Sequence, residues 1–330
     1  MDYIIDNHTD CIGCGENGFI FQGFHRNGDG SLTAPLNLDL RTEGWVGLPH
    51  GGFGMGAIAE LASGLSNYPK DEKDRFPLTM SFRMGGAGVT TGDTVTVTAA
   101  EKNGGAVGVI TPEGNQTPYI TGDITYKKDD PKGRKSVLSY LPGSYRDIEN
   151  DLVPLPFYQQ CFVCGVNREE PGLRRKFFVH DGPRPQLVVV PAGFDASDKE
   201  SFGRFLRDGN YHPIAFLGVG DECMGWGTFF LAKSGGVSVR LAYTFYREVA
   251  HDERIIFFGR GEKVRGDRDR RLLFWADGGA AAVADDGSLE LIMTSSGQWM
   301  GMPGLTQQMD EHFYPAEWLQ RAYDMAGTGE

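Results

Sequence analysis

Two histidines in this chain stand where helices begin, and each is followed ten places later by a glutamate: His50 with Glu60, and His212 with Glu222. The first opens His50-Gly51-Gly52-Phe53-Gly54-Met55-Gly56. First-turn N–H groups of a helix have no intrahelical acceptor, so those after His50 can point at an anion or a polarised carbonyl. The second opens Tyr211-His212-Pro213-Ile214. Proline occupies the first position there and has no N–H to offer. Each histidine also has a plain reading, as the start of a helix packed closely on a sheet or as an ordinary proline-led helix start. Four of the five cysteines form Cys11-x-x-Cys14-Gly15 and Cys161-x-x-Cys164-Gly165. Jointly they could make a four-cysteine zinc site, but with no second pair near either one they read better as two equivalent turns at domain starts. No cofactor and no metal is assigned from the sequence.

The same order of features, cysteine pair, histidine, acid-bearing helix, occurs twice, and a period this long means domain duplication rather than a solenoid. In the first copy, Gly18 to Leu40 reads as hairpin sequence broken by Asn-Gly and Asp-Gly turns. A helix is expected over 51–66, with Ile58, Leu61, Ala62 and Leu65 as its apolar stripe. The charged run 70–75 reads as a solvated loop. Strands are expected over 78–84, 94–100, 106–110 and 119–126. The polar run 127–135 opens a linker. In the second copy a short helix is expected near 197–206, a long one over 213–233, and strands over 237–247, 254–263, 271–277 and 289–299. Arg265, Arg268, Arg270 and Arg271 crowd one hairpin and read as a solvated basic turn rather than a phosphate site. Residues 315–323 read as a short docking helix with proline at its start. The expected division is 1–130, linker 131–156, 157–304 and tail 305–330. One helix followed by antiparallel strands, twice over, is an α+β pattern.

At 330 residues the chain is long enough for two cores. A net charge of −12 argues against non-specific binding to nucleic acid or to an anionic membrane. No apolar run reaches membrane-span length and no secretory leader is visible, so a cytoplasmic protein is expected. Forty-seven glycines fit a fold of tight turns and close backbone contacts.

Cys161-Phe162-Val163-Cys164-Gly165-Val166-Asn167 with Pro171-Gly172-Leu173, His50-Gly51-Gly52, Asp221-Glu222-Cys223-Met224-Gly225-Trp226 and Gly236-Val237-Ser238-Val239 resemble PaaI-like acyl-CoA thioesterases of the hotdog fold. The likeness covers most of residues 10–130 and 157–301. It implies an α+β double hotdog, two antiparallel sheets each wrapping one long helix, with one chain standing in for the family's usual homodimer; it also admits a homodimer of double hotdogs. It further implies a site shared between the halves. His50 and Gly51 would give the turn that polarises the thioester carbonyl, Asp221 the carboxylate that either activates water as a base or attacks directly as a nucleophile, and Ser238 its partner on the next strand, with Gly52 and Glu222 beside the substrate. The substrate would be an acyl thioester of coenzyme A or acyl carrier protein. Asp221 shares a helical stripe with Ile214, Leu217 and Met224, so burial would raise its pKa toward that of a general base. The other composite site departs from the pattern, with Ala59 where the acid should be and Pro213 after its histidine; it is expected to be silent. Rival readings are a double-hotdog dehydratase, an acyltransferase or decarboxylase, and a non-catalytic acyl-binding protein. The dehydratase pattern His-x-x-x-Gly-x-x-x-x-Pro is met at Gly54 and fails at Ala59.

Overall fold

The computed structural model describes residues 1–6, 8–15, 17–182, 185–267 and 271–327. Its centre is a pair of helices, Gly51–Ala62 and Pro213–Ala232, wrapped by one continuous antiparallel sheet of thirteen strands. The first half contributes, from the outer edge inward, His25–Arg26, Leu32–Asn37, Thr94–Lys102, Gly105–Pro112, Ile120–Thr125 and Leu78–Met84. The second half continues with Gly236–Phe245, Leu289–Gly301, Arg271–Val283, Ile255–Asp267, Leu187–Ala192, Phe178–His180 and Leu152–Pro154. The seam is the antiparallel pair Leu78–Met84 with Gly236–Phe245, in register from Arg83 opposite Arg240 to Leu78 opposite Phe245. Thr79 and Thr244 share a hydrogen bond of 3.0 Å across it. This is the double-hotdog arrangement that the resemblance implies.

Both helices begin on the same device. His50 and His212 are N-caps in extended conformation, and each ring accepts, through Nδ1, the N–H two residues on: Gly52 at 3.0 Å and Ile214 at 3.0 Å. A histidine at the N-cap thereby satisfies one orphan donor of the first turn. The second helix ends at Lys233, in the left-handed conformation, whose N–H returns to the Phe229 carbonyl.

The first helix differs from expectation. It stops at Ala62, and instead of one apolar stripe all of its residues after Gly51 are buried. Its own sheet covers one side and the second helix covers the other. The two helices approach so closely that a methyl group on Gly52 would collide with the Gly218 backbone. Rings of Phe19, Phe53, Phe162 and Phe205 fill the space between the halves, with centroids 5.1–5.9 Å apart.

Other elements were only partly legible. The charged run 70–75 holds a short helix, Glu72–Arg75, and Arg75 is buried against Glu248 rather than solvated. The linker region carries a helix, Pro131–Leu138, whose Val137 packs on the second half's sheet. The short helix expected near 197–206 occupies Ala196–Phe202. The tail has two helices, Pro303–His312 and Ala316–Gly327, where one was expected. Of the basic hairpin, Arg268 and Arg270 lie outside the described residues; Arg265 and Arg271 belong to the long paired strands. No helix among the described residues is long and apolar enough to cross a membrane.

Candidate active site

The start of the first helix meets the middle of the second at a cavity of about 350 Å³. His50 and Gly51 form one wall, and Asp221, Glu222 and Ser238 the other. A methyl group placed on Gly51 would sit 3.1 Å from Asp221 Oδ2 and 3.2 Å from Ser238 Oγ, so only glycine leaves this point open. Among the described residues the Gly51 N–H has no partner, as expected of a first helical residue. The rest of the cavity is mainly apolar, with Trp45, Met84, Trp226, Phe229, Met309 and Phe313 in its lining.

Asp221 is 6% exposed. Burial drives its pKa upward, His50 opposes this, Glu222 adds to it, and hydrogen bonds from Trp299 and Ser238 oppose it again, leaving it at about 6. A carboxyl in that range can exchange a proton near neutral pH. Ser238 is aimed here by its strand. It pairs opposite Trp299, and the register shifts between Ser238 and Arg240, the irregularity that re-aims side chains.

His50 has no free nitrogen. Nδ1 accepts the Gly52 N–H, and Nε2 faces Glu222 Oε2 at 3.5 Å. Burial lowers the ring's pKa, and Glu222, Cys161 and Asp221 more than reverse this, to about 9. Protonation at Nδ1 would nevertheless have to displace the Gly52 N–H. Cys161 Sγ donates to the same Glu222 oxygen at 3.3 Å and accepts the Val163 and Cys164 N–H groups.

The structure therefore brings five of the expected residues, His50, Gly51, Asp221, Glu222 and Ser238, to one cavity. It does not bring Gly52 there. Its N–H is taken by His50 and its Cα faces the other helix, so it is a packing residue. Glu222 borders the cavity but is held by His50 and Cys161. Trp299 and Tyr119, both lining the cavity, were missed. Burial and Asp221 push the Tyr119 phenol above its ordinary pKa, which keeps its proton in place. A sequence signal for Trp299 exists only once strand register is known.

The corresponding centre in the other half repeats the frame with different chemistry. His212 Nε2 lies 2.8 Å from Glu60 Oε2, and both side chains are fully buried. Burial works against the Glu60 charge, but His212 and His8 beside it hold its pKa well below the ordinary carboxylate value. A cavity of about 400 Å³ opens nearby, lined by Ala59, Pro213, Leu78 and Met80 together with Arg75 and Arg207. It offers neither an acid at the Ala59 position nor an N–H at Pro213. The two cysteine pairs do not join into one four-cysteine group: Cys11 contacts Glu60, and Cys161 contacts Glu222.

No protein-family model matches the chain, and no curated protein matches it by sequence. Solved structures do match. A putative thioesterase II from Thermobifida fusca superposes with a TM-score of 0.51 at 13% identity, covering 85% of this chain and 96% of that one. The dehydratase domain of PpsC from Mycobacterium tuberculosis, solved in complex with C12:1-CoA, gives 0.48 at 12% identity, covering 85% and 98%. An acyl-CoA thioesterase II, TesB2, from Mycobacterium marinum gives 0.42 at 10% identity, covering 85% and 95%.

Proposed function

With the double hotdog established by the first of those likenesses, we propose that this chain is an acyl-thioester hydrolase of the PaaI-like kind, working through the single centre between His50 and Asp221. The observation that carries the reading is a buried carboxyl with a pKa of about 6, next to an unpartnered first-turn N–H, at the mouth of an apolar cavity. The Gly51 N–H takes the thioester carbonyl oxygen and stabilises the oxyanion as it develops. Asp221, oriented by Ser238 and Trp299, removes a proton from water as that water attacks the carbonyl carbon. It returns the proton to the departing thiolate, so acid and free thiol leave and the carboxylate is restored. The aromatic and methionine lining suits an acyl chain, and the cavity lies at the small end of ligand pockets.

One observation weighs against the dehydratase reading. A lyase needs an imidazole nitrogen free to take the α-proton, and both nitrogens of His50 are engaged. The discriminating experiment is a panel of acyl-CoA thioesters, assayed for free thiol, with a 3-hydroxyacyl thioester assayed in parallel for water loss. Thiol release supports hydrolysis. Water loss without thiol release makes the chain a lyase, and tight binding with neither makes it an acyl-binding protein.

A further inference from the structure

The cysteine pairs have no part in the thioester chemistry, yet one of them stands in a cluster with donors of its own. His8 Nδ1, Cys11 Sγ, Cys14 Sγ and a Glu60 carboxylate oxygen all lie within 4.8 Å of one another. Nδ1 is 3.4 Å from Cys14 Sγ and 3.1 Å from Glu60 Oε1, and Cys11 Sγ is 3.3 Å from the same oxygen.

Hydrogen positions follow from the surroundings. The Ser63 hydroxyl donates to the Glu60 carbonyl at 2.6 Å, so its oxygen accepts from His8 Nε2 at 3.1 Å. Nε2 of His8 therefore carries a proton, and Nδ1 is the nitrogen that faces Glu60 and Cys14. His212 accepts at Nδ1 from Ile214, so its Nε2 donates to Glu60 Oε2, and Arg207 lies 3.6 Å from that same oxygen. Oε2 is thus supplied with donors. On the other side, Nδ1, Oε1 and two sulfurs converge in a buried place. A proton on Nδ1 would join the ring to Oε1 alone, whereas a metal ion would engage all four atoms at once.

We propose that His8, Cys11, Cys14 and Glu60 bind a zinc ion as a closed structural site. Tetrahedral zinc with nitrogen, sulfur and oxygen ligands has ligand-to-ligand edges of about 3.3–3.8 Å, close to the separations here. The Gly13 N–H donates to Cys11 Sγ at 3.3 Å, a contact that a zinc-bound thiolate would keep. A methyl group on Gly13 would come within 2.8 Å of His212 Nε2, so the Cys-x-x-Cys turn is seated directly on the His212–Glu60 pair. Two thiolates and a carboxylate leave the zinc complex one negative charge in excess, which faces Arg207. His212 and Ser63 orient the ligands from outside, as the partners of metal ligands commonly do. The ion would tie the N-terminal arm, already hydrogen-bonded to Leu206 and Asp208 of the second half, to the first helix through Glu60. The site belongs to the first pair alone. Tyr158 stands three places before Cys161, where His8 stands before Cys11, and its hydroxyl is held by Glu43 at 3.1 Å. The group His50, Cys161 and Glu222 is thereby left one ligand short.

The test is metal analysis of the full chain purified from zinc-supplemented growth, together with cobalt substitution. The proposal expects about one zinc per chain, a thiolate-to-cobalt charge-transfer band in the near ultraviolet, and a lower melting temperature after chelation that zinc restores. Cys11→Ser and Cys14→Ser lose the metal, whereas Cys161→Ser keeps it. Zinc content near zero in the unmutated chain, with no cobalt band and no response of the melting temperature to zinc, overturns the proposal. So does metal that is lost with Cys161 and kept without Cys11.

Discussion

The His50 and His212 centres share one frame and differ in the few positions where chemistry is decided. Each has a histidine N-cap whose Nδ1 takes the N–H two residues on, and whose Nε2 faces a glutamate from the other half's helix. At the His212 centre the glutamate is 2.8 Å away and sealed from solvent, while at the His50 centre it is 3.5 Å away at the cavity edge. The residue one place before that glutamate is the acid Asp221 at the first centre and the apolar Ala59 at the second. The residue after the histidine is Gly51 in one and Pro213 in the other. The His–Glu pairs join the two helices at both centres, whereas the acid and the N–H donor occur together only at the His50 centre.

If the proposed function holds, changes that make the His50 centre resemble the His212 centre give the largest effects. Asp221→Asn is expected to lower thioester turnover by at least about a hundredfold, and Gly51→Pro by a similar factor. Proline suits the backbone of a first helical position, as at Pro213, but its ring would also press on Asp221 and Ser238. The Gly51→Pro protein is therefore checked for fold by circular dichroism, and its loss is read as that of the donor and the open space together. Pro213→Gly leaves turnover nearly unchanged. Equal losses from Gly51→Pro and Pro213→Gly would erase the distinction between the centres.

The pH profile sharpens the comparison. Asp221 acts as a base only when ionised, so kcat/KM should rise through about pH 6 and then level. Ser238→Ala removes a bond that favours the carboxylate. It is expected to cost about five- to tenfold in rate and to move that midpoint upward. A midpoint near 4 in the unmutated protein would mean that Asp221 is not the titrating group.

Stability shows the same difference in a smaller signal. The folded-state pKa of Asp221 lies above its ordinary 3.8, so the native state holds the proton more tightly than the unfolded chain. The resulting penalty is absent below about pH 4, grows between 4 and 6, and is complete above 6. Asp221→Asn should therefore stabilise the protein at pH 8 by an amount on the order of 3 kcal/mol at most, with the gain vanishing at pH 4. Denaturant unfolding at the two pH values checks it. No corresponding pH-dependent gain is expected from Ala59→Gly.

How much of this was legible follows from the range of each signal. Duplication, both long helices and the eight main strands were readable, because hydrophobic period and turn residues are local. That His50, Gly51, Asp221 and Ser238 share one cavity was legible: helix starts and helical spacing pointed to the first three, and Ser238 came from the resemblance alone. The outer strands Phe178–His180 and Leu152–Pro154 were not, being three residues long and fixed by their partners rather than by their own pattern. Gly52 was misplaced because Gly-Gly after a histidine suggests two free N–H groups; the histidine's own ring takes one of them. Glu60 and Glu222 were visible as a repeated spacing, but their partners sit in the other half and become known only when the helices are packed together. Trp299 required the register opposite Ser238.

The most direct test of a single working centre at His50 and Asp221 is free-thiol release from the acyl-CoA panel by the unmutated chain and by Asp221→Asn, side by side and at pH 8. The account predicts turnover by the first on at least one thioester and a loss of at least about a hundredfold in the second, with its fold intact and its melting temperature no lower. Undiminished release by a well-folded Asp221→Asn protein would contradict it.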